Sequence, residues 1–314
     1  MEKAGSKRSS MVENEGKKMT EKKHKSGFVN IVGNPNVGKS TLMNALVGER
    51  ISIITSKSQT TRHRILGIVN GDDFQIVYSD TPGVIKPSYK LQEAMLKSSR
   101  SALSDADVVI YVTDVVEKSD KNEEFLSTVE KIKTPILLII NKIDLSNQED
   151  VEKLVEDWKK RLPQAEIFPA AALRNFNLES ILNRVLELLP ESPAYFDKDS
   201  LTDRPERFFV TEIIREKILD NYRKEIPYAV EPEVESFVEE ENLIRINAVI
   251  YVERDSQKGI IIGHKGLALK KVGIESRIEL EAFLGKRVHL ELFVKVSKDW
   301  RNNISQLKSF GYDK

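Results

Sequence analysis

The sequence predicts two domains in series: an α/β domain on a mostly parallel sheet, then a smaller α+β domain. Three observations carry this. From Phe28 to about Leu189, short Val/Ile runs alternate with longer amphipathic segments, as strands joined by crossover helices do. Pro190, Pro193 and the polar stretch DKDSLTDRP (197–205) then interrupt the alternation. Beyond them the order becomes helix, two strands, a Gly-containing turn, helix, strand, helix. The 314 residues are enough for two cores and too many for one comfortable core. The expected division is a disordered basic tail (1–26), a first domain (27–192), a linker (193–206) and a second domain (207–314).

The tail is rich in Lys, Ser, Glu and Gly and nearly free of apolar residues, so it cannot bury enough surface to offset the entropy of ordering. In the first domain FVNIV (28–32), RILGIV (64–69), FQIVYSD (74–80), VVIYVTD (108–114) and PILLIIN (135–141) read as strands. TLMNALVG (41–48), LQEAMLKSSRSAL (91–103), EEFLSTVEKI (123–132), VEKLVEDWKKRL (151–162) and LESILNRVLELL (178–189) carry an apolar stripe at helical spacing.

Composition removes several classes of function. The chain has no cysteine, which excludes disulfides, cysteine–zinc sites and thiol nucleophiles. Four histidines are too few for a histidine-rich metal site. No apolar run reaches the roughly 18–20 residues of a membrane span. Net charge is zero, but residues 225–241 hold seven acids and no base, whereas residues 258–301 hold ten Lys/Arg against five Asp/Glu. A polyanion would meet only part of this surface.

The chemistry sits at strand ends. GNPNVGKST (33–41) fits G-x-x-x-x-G-K-[ST] between a strand and a helix. Gly33 and Gly38 let the backbone curl round a phosphate. Asn34, Pro35, Asn36 and Val37 form the loop into the helix at Thr41, and the N–H groups of its non-proline residues would point inward as an anion nest. Lys39 would reach the outer phosphates and the Ser40 hydroxyl would ligate Mg²⁺. DTPG (80–83) ends another strand, 41 residues beyond Lys39. Asp80 would hold a water on Mg²⁺, and Thr81 and Pro82 shape the turn. The Gly83 N–H would meet the γ-phosphate, which is gone after hydrolysis, so this interaction can report the nucleotide state. Val84 follows it. Between these motifs the polar segment SKSQTTRHR (56–64) would offer a threonine hydroxyl to the metal. Thr61 is favoured and Thr60 stays open.

NKID (141–144) closes the strand PILLII. The Asp144 carboxylate can accept from guanine N1–H and N2–H. Adenine would leave it buried and unpaired, a cost of several kcal/mol. Asn141 can tie neighbouring loops, the Lys142 stem can cover the base face, and Ile143 spaces the two. The ligand expected is therefore GTP or GDP with Mg²⁺. Catalysis falls to Lys39, Thr61 and Gly83.

With these motifs in place, the chain resembles the translation-factor-like GTPases and, within them, the Era family. The resemblance spans about residues 27–314. It rests on GNPNVGKST, QTTRHRILGIV, DTPG and NKID, and on RFFVTEIIREKI (207–218), IPYAVEPEVESF (226–237), GIIIGHKG (259–266) and HLELFVKVSKDW (289–300). It implies a P-loop GTPase domain followed by a type II KH domain. It also implies binding to the 3′ end of small-subunit rRNA during maturation of the small ribosomal subunit. The family is cytoplasmic and partly associated with the inner membrane, and a monomer is expected. The guanine-supporting loop, usually Ser-Ala, is Ala171-Ala172 here. The Ala172 N–H would still reach guanine O6, without the serine hydroxyl. The Arg174–Asn177 stretch lacks the usual glycine beyond it.

Ras-like switches place a water-orienting Gln after D-x-x-G, where this chain has Val84 and Ile85. Catalysis must then come from position and charge. Asn36 stands where related GTPases hold K⁺ near the phosphates, which makes K⁺ a candidate activator. Slow intrinsic turnover that rises on a ribosomal particle is expected.

In the second domain GIIIGHKG puts Gly263, His264, Lys265 and Gly266 between an apolar run and the helix LALKKVGIESRIELEAFL (267–284). A G-x-x-G turn clamps a nucleic-acid backbone. Lys258, Lys265, Lys270, Lys271 and Arg277 would add the salt-dependent attraction. The acidic stretch 225–241 would lie away from the groove, and Trp300 and Phe310 would serve in packing. The absence of cysteine and the single phosphate loop disfavour tRNA-modifying and tandem GTPases. A non-hydrolysing, GTP-responsive RNA-binding protein is the alternative.

Overall fold

A computed structural model describes residues 23–117 and 122–312. The first domain runs β1 (Lys25–Gly33), α1 (Lys39–Val47), β2 (Ile65–Asn70), β3 (Phe74–Asp80), α2 (Lys90–Ser104), β4 (Val108–Asp114), α3 (Glu123–Val129), β5 (Ile136–Asn141), α4 (Gln148–Arg161), β6 (Ala165–Pro169) and α5 (Leu178–Leu188). Its six strands are ordered β2-β3-β1-β4-β5-β6. All neighbours are parallel except β2, which runs antiparallel to β3.

Every residue of β4 and β5 is buried. Helices cover both faces, so a central strand reads as a continuous apolar run rather than an alternating one. Val29, Ile31, Leu42 and Ile110 pack on one side, and Val109, Tyr111, Phe125 and Trp158 on the other. Strand order reverses between β1 and β4, so the crevice opens at the carboxyl end of β1, where the phosphate motif lies. α4 is capped by Asn147, whose Oδ1 accepts from the Asp150 N–H at 3.0 Å.

Two expectations about this domain need correction. β6 has no counterpart in the sequence reading: AEIFP is short, half-buried and at the sheet edge, so no strong period marks it. β1 begins at Lys25, inside the segment assigned to the tail. Lys25 Nζ donates to the carbonyls of Leu186 and Glu187 at 2.9 Å, which fastens it. Residues 1–22 of the expected tail lie outside the described residues. The connector is likewise fastened. Ile68 N donates to Leu201 O at 2.8 Å, Thr202 Oγ1 to Leu66 O at 2.7 Å, and Gln75 Oε1 accepts from Tyr195 N at 2.7 Å. This covers the open edge at β2.

The second domain runs α6 (Glu206–Asn221), α7 (Ile226–Ala229), β7 (Glu231–Glu239), β8 (Leu243–Val252), α8 (Asp255–Ile262), α9 (Leu267–Leu284), β9 (Arg287–Val296) and α10 (Ile304–Ser309). β8 is central, antiparallel to β7 and parallel to β9. α6, α8 and α9 pack on one face of this sheet around Ile246, Ala248, Ile250, Val272 and Leu280. The α-β-β-α-α-β order is that of a type II KH domain. α8 corrects the sequence reading, which treats residues 259–262 as an apolar run before the turn. Gly259 and three isoleucines lower helix propensity, but burial of Ile261 outweighs it. The C-terminal segment packs back on the first domain, Trp300 and Leu307 against Leu91 and Met95 of α2. Trp300 and Phe310 are thus packing residues, as expected. No helix among the described residues is long and apolar enough to cross a membrane.

Candidate nucleotide site and RNA turn

β1 ends at Gly33 and α1 begins at Lys39, so residues 34–38 form the loop between them. A Cβ on Gly33 would lie 2.2 Å from the Val112 carbonyl, and one on Gly38 2.2 Å from Asn141 Nδ2. Both glycines are therefore required by close approach of neighbouring strand ends. Lys39 is 6% exposed. Its ammonium donates to Asn34 O at 2.8 Å. Burial pushes its pKa down to about 8, against the pull of Asp80 and Glu117. A phosphate in the loop would restore the charged form.

Three oxygens meet beside Lys39. Ser40 Oγ donates to Asp80 Oδ2 at 2.7 Å and lies 2.9 Å from Thr61 Oγ1, which is 3.1 Å from the same carboxylate oxygen. Burial pushes the Asp80 carboxyl up, with Lys39 and the hydroxyl donors opposing. Its Oδ1 is buried and has no partner among the described residues. A buried orphan oxygen beside two hydroxyls suits a hard cation that takes its remaining ligands from phosphates and water. Thr60 Oγ1 instead donates to Lys57 O at 2.6 Å, while Thr61 Oγ1 faces Asp80. Thr81 Oγ1 donates to Ile31 O at 2.7 Å. A Cβ on Gly83 would meet Pro35 Cα at 2.8 Å. Val84 N donates to Gly33 O at 3.1 Å, which ties DTPG to the phosphate loop. A cavity of about 380 Å³ opens among Pro35, Lys39, Ser40, Thr61, Gly83 and Lys142.

The residues expected to read the base lie beside this cavity, which Lys142 lines. Asn141 Nδ2 donates to Val37 O at 2.9 Å, and its Oδ1 accepts from the Ala172 N–H at 3.0 Å. Asn141 thereby joins three loops. The Ala172 N–H, expected to reach guanine O6, donates to Asn141 Oδ1 in this structure. Ala171 is buried beside it. Lys142 has a left-handed backbone, φ 61°, and its Nζ donates to Asn36 O at 2.5 Å and Asp114 Oδ2 at 2.6 Å. Its stem is thus stretched over the mouth of the site. Ile143 N donates to Ala170 O at 3.2 Å. Asp144 stays open to solvent, 3.7 Å from Arg174.

Sequence reasoning misses several groups here. Asn122 Nδ2 donates to Asn34 Oδ1 at 2.6 Å and to Val84 O at 2.7 Å, bridging the phosphate loop and the residue after DTPG. Gln59 lines the cavity and accepts from Tyr89 Oη at 3.0 Å. Asn122 belongs to no motif, and Gln59, though inside SKSQTTRHR, carries no spacing that assigns it a role.

The second site is the turn Gly263–Gly266 between α8 and α9. Gly263, Lys265 and Gly266 have φ of 71°, 50° and 75°. His264, Lys265, Lys270, Lys271 and Arg277 line the outer side of this turn and of α9, and Lys258 sits half-buried on α8. Lys270 and Arg277 are seven residues apart and share a helix face. Arg277 is paired with Glu281 at 3.2 Å and Lys271 lies 3.7 Å from Glu275. The acidic strand β7 lies across the sheet from β9.

Comparison with known proteins agrees with this architecture. A family model described as 50S ribosome-binding GTPase matches residues 28–142, and a KH domain model matches residues 225–301. GTPase Era of Staphylococcus haemolyticus (strain JCSC1435) is 44% identical over 296 residues, covering 94% of this chain and 98% of its own. An Aquifex aeolicus Era variant bound to GDP·AlF4⁻ superposes with a TM-score of 0.88 at 38% identity, covering 92% of this chain and 99% of its own. Era in complex with MgGDPNP and nucleotides 1506–1542 of 16S ribosomal RNA gives a TM-score of 0.89 at the same identity and coverage. A P-loop GTPase domain and a KH domain in one chain, with 44% identity to GTPase Era over nearly its whole length, make this protein a GTPase of the Era family.

Proposed function

We propose that the chain binds Mg²⁺–GTP, hydrolyses it, and uses its KH domain to hold the 3′ end of small-subunit rRNA during small-subunit biogenesis. The observation that carries the reading is the meeting of Lys39, Ser40, Thr61 and Asp80 at the carboxyl ends of two strands. Lys39 faces the outer phosphates with its charge. Ser40, Thr61 and Asp80 would hold Mg²⁺, which when bound would supply positive charge against the phosphoryl oxygens. Gly83 lies against Pro35, where a Cβ would meet Pro35 Cα at 2.8 Å, and its N–H would meet the γ-phosphate. Val84 has no polar side chain to orient water, so turnover depends on charge and position. Asn36 Nδ2 donates to Ser56 O at 3.2 Å, which leaves its Oδ1 as a ligand for K⁺. The relative crystallised with MgGDPNP and 16S rRNA supports the RNA assignment.

Single-turnover GTP hydrolysis, in K⁺ or Na⁺ and with or without a small-subunit 3′ RNA, tests this. Slow hydrolysis that rises with K⁺ and with RNA is expected. Rapid hydrolysis indifferent to both would overturn the K⁺ and RNA assignments.

A further inference from the structure

We propose that the KH domain positions the metal-binding threonine: two guanidinium groups, Arg62 and Arg215, clamp the backbone on either side of Thr61 to α6 and β7. The inference rests on Thr61 as a ligand of Mg²⁺ in the triphosphate state.

The segment between Ile51 and Arg64 has neither helix nor strand, so regular hydrogen bonding does not fix it. A ligand must be held within about 0.5 Å of its productive place. Bonds within its own domain hold part of it, such as Asn44 to Ile51 and Ser52, and further restraints beside Thr61 come from the other domain. Arg215 of α6 donates from Nη2 to Thr60 O at 2.5 Å and from Nη1 to Gln59 O at 3.4 Å. Glu212 grips its Nε at 2.8 Å. On the other side of Thr61, Arg62 donates to Val230 O and Glu231 Oε2 at 2.7 Å and to Pro227 O at 3.2 Å. Tyr312 Oη lies 2.8 and 2.9 Å from the Glu231 oxygens. Farther along, Glu216 Oε1 accepts from Ile54 N at 3.1 Å.

Arg62 and Arg215 are each 1% exposed. A buried ion pair is weak evidence for stability, because desolvation consumes most of its Coulomb energy. What the planar guanidinium supplies is direction. Arg62 reaches Glu231, the first residue of β7, which is paired with Tyr251 of β8. The position of Thr61 is thereby referred to the KH sheet. Neither guanidinium lines the nucleotide cavity, so both act through Thr61 as positioning residues.

GDP has no γ-phosphate and little use for Thr61, so the clamp should favour the triphosphate. The test measures, on the full chain, affinities for Mg²⁺–GDP and a non-hydrolysable Mg²⁺–GTP analogue in Glu231→Gln, Arg215→Lys, Tyr312→Phe and Thr61→Ala, with thermal melts. The analogue should weaken about tenfold in Glu231→Gln and Arg215→Lys and about threefold in Tyr312→Phe, with GDP changed less than about twofold. Equal loss of both nucleotides, or no loss in a variant that melts cooperatively, overturns the clamp. Should Glu231→Gln fail to fold, Tyr312→Phe decides, since it keeps the Arg62–Glu231 pair and the ring stacked 4.3 Å from His63. If Thr61→Ala separates the nucleotides and the other variants do not, the clamp alone fails. If Thr61→Ala does not separate them, the reading of Thr61 itself fails.

Discussion

The phosphate loop and the Gly263–Gly266 turn are both glycine-bounded and both open a helix, but they are built in opposite ways. In the first, each glycine is pressed against another strand end, Val112 or Asn141, and the lysine is buried. In the second, a Cβ on Gly263 would meet only Ala268 of the helix that follows, at 2.6 Å, nothing lies within 4 Å of one on Gly266, and the lysine is exposed. The buried loop is shaped by tertiary packing before any ligand arrives, so it can demand one geometry. The exposed turn is shaped by its own backbone and leaves selection to groups on the helices beside it.

Substitutions can break this contrast. Gly33→Ala drives a Cβ into a backbone carbonyl that cannot retreat, and should cost about 3–4 kcal/mol of stability. Chemical denaturation reads it. Lys39→Ala should weaken both GTP and GDP about 100-fold, the loss of charged hydrogen bonds worth about 2–3 kcal/mol, as calorimetry would show. Gly266→Ala meets no neighbour and keeps only the left-handed backbone penalty, about 1 kcal/mol. A loss in Gly266→Ala as large as in Gly33→Ala would erase the distinction. Lys270→Ala should weaken RNA binding a few-fold for all sequences and lower the salt slope by about one. Arg277→Ala should do less, because Glu281 already holds its charge. Filter binding across a salt series measures both, and neither substitution should change nucleotide affinity.

The same contrast explains what can be read from the chain alone. The strands β1 to β5 are legible because two-sided burial demands continuous Val/Ile runs, and candidate nucleotide residues can be named because fixed spacing at strand ends has few other causes. β6 escapes since a half-buried edge strand of five residues needs no strong pattern. α8 escapes because its isoleucines suit a strand equally well until Ile261 is seen in the core. Arg62 and Arg215 fall inside the family-like stretches QTTRHRILGIV and RFFVTEIIREKI, but nothing in either stretch marks them as a buried clamp. A lone arginine in a polar loop reads as a solvated charge, and only the docking of the second domain makes it buried. The engagement of the Ala172 N–H by Asn141 is also invisible in the sequence, since it depends on where two distant loops meet.

The central claim is that Lys39, Asp80 and Asp144, from three separate strand ends, enclose one guanine nucleotide. Calorimetric titration of the full chain with GTP and with ATP, each with Mg²⁺, tests it most directly. GTP should bind at least about 1000-fold tighter than ATP, because adenine would leave Asp144 without its donors. Equal affinity for the two nucleotides, or binding of neither, would contradict the account.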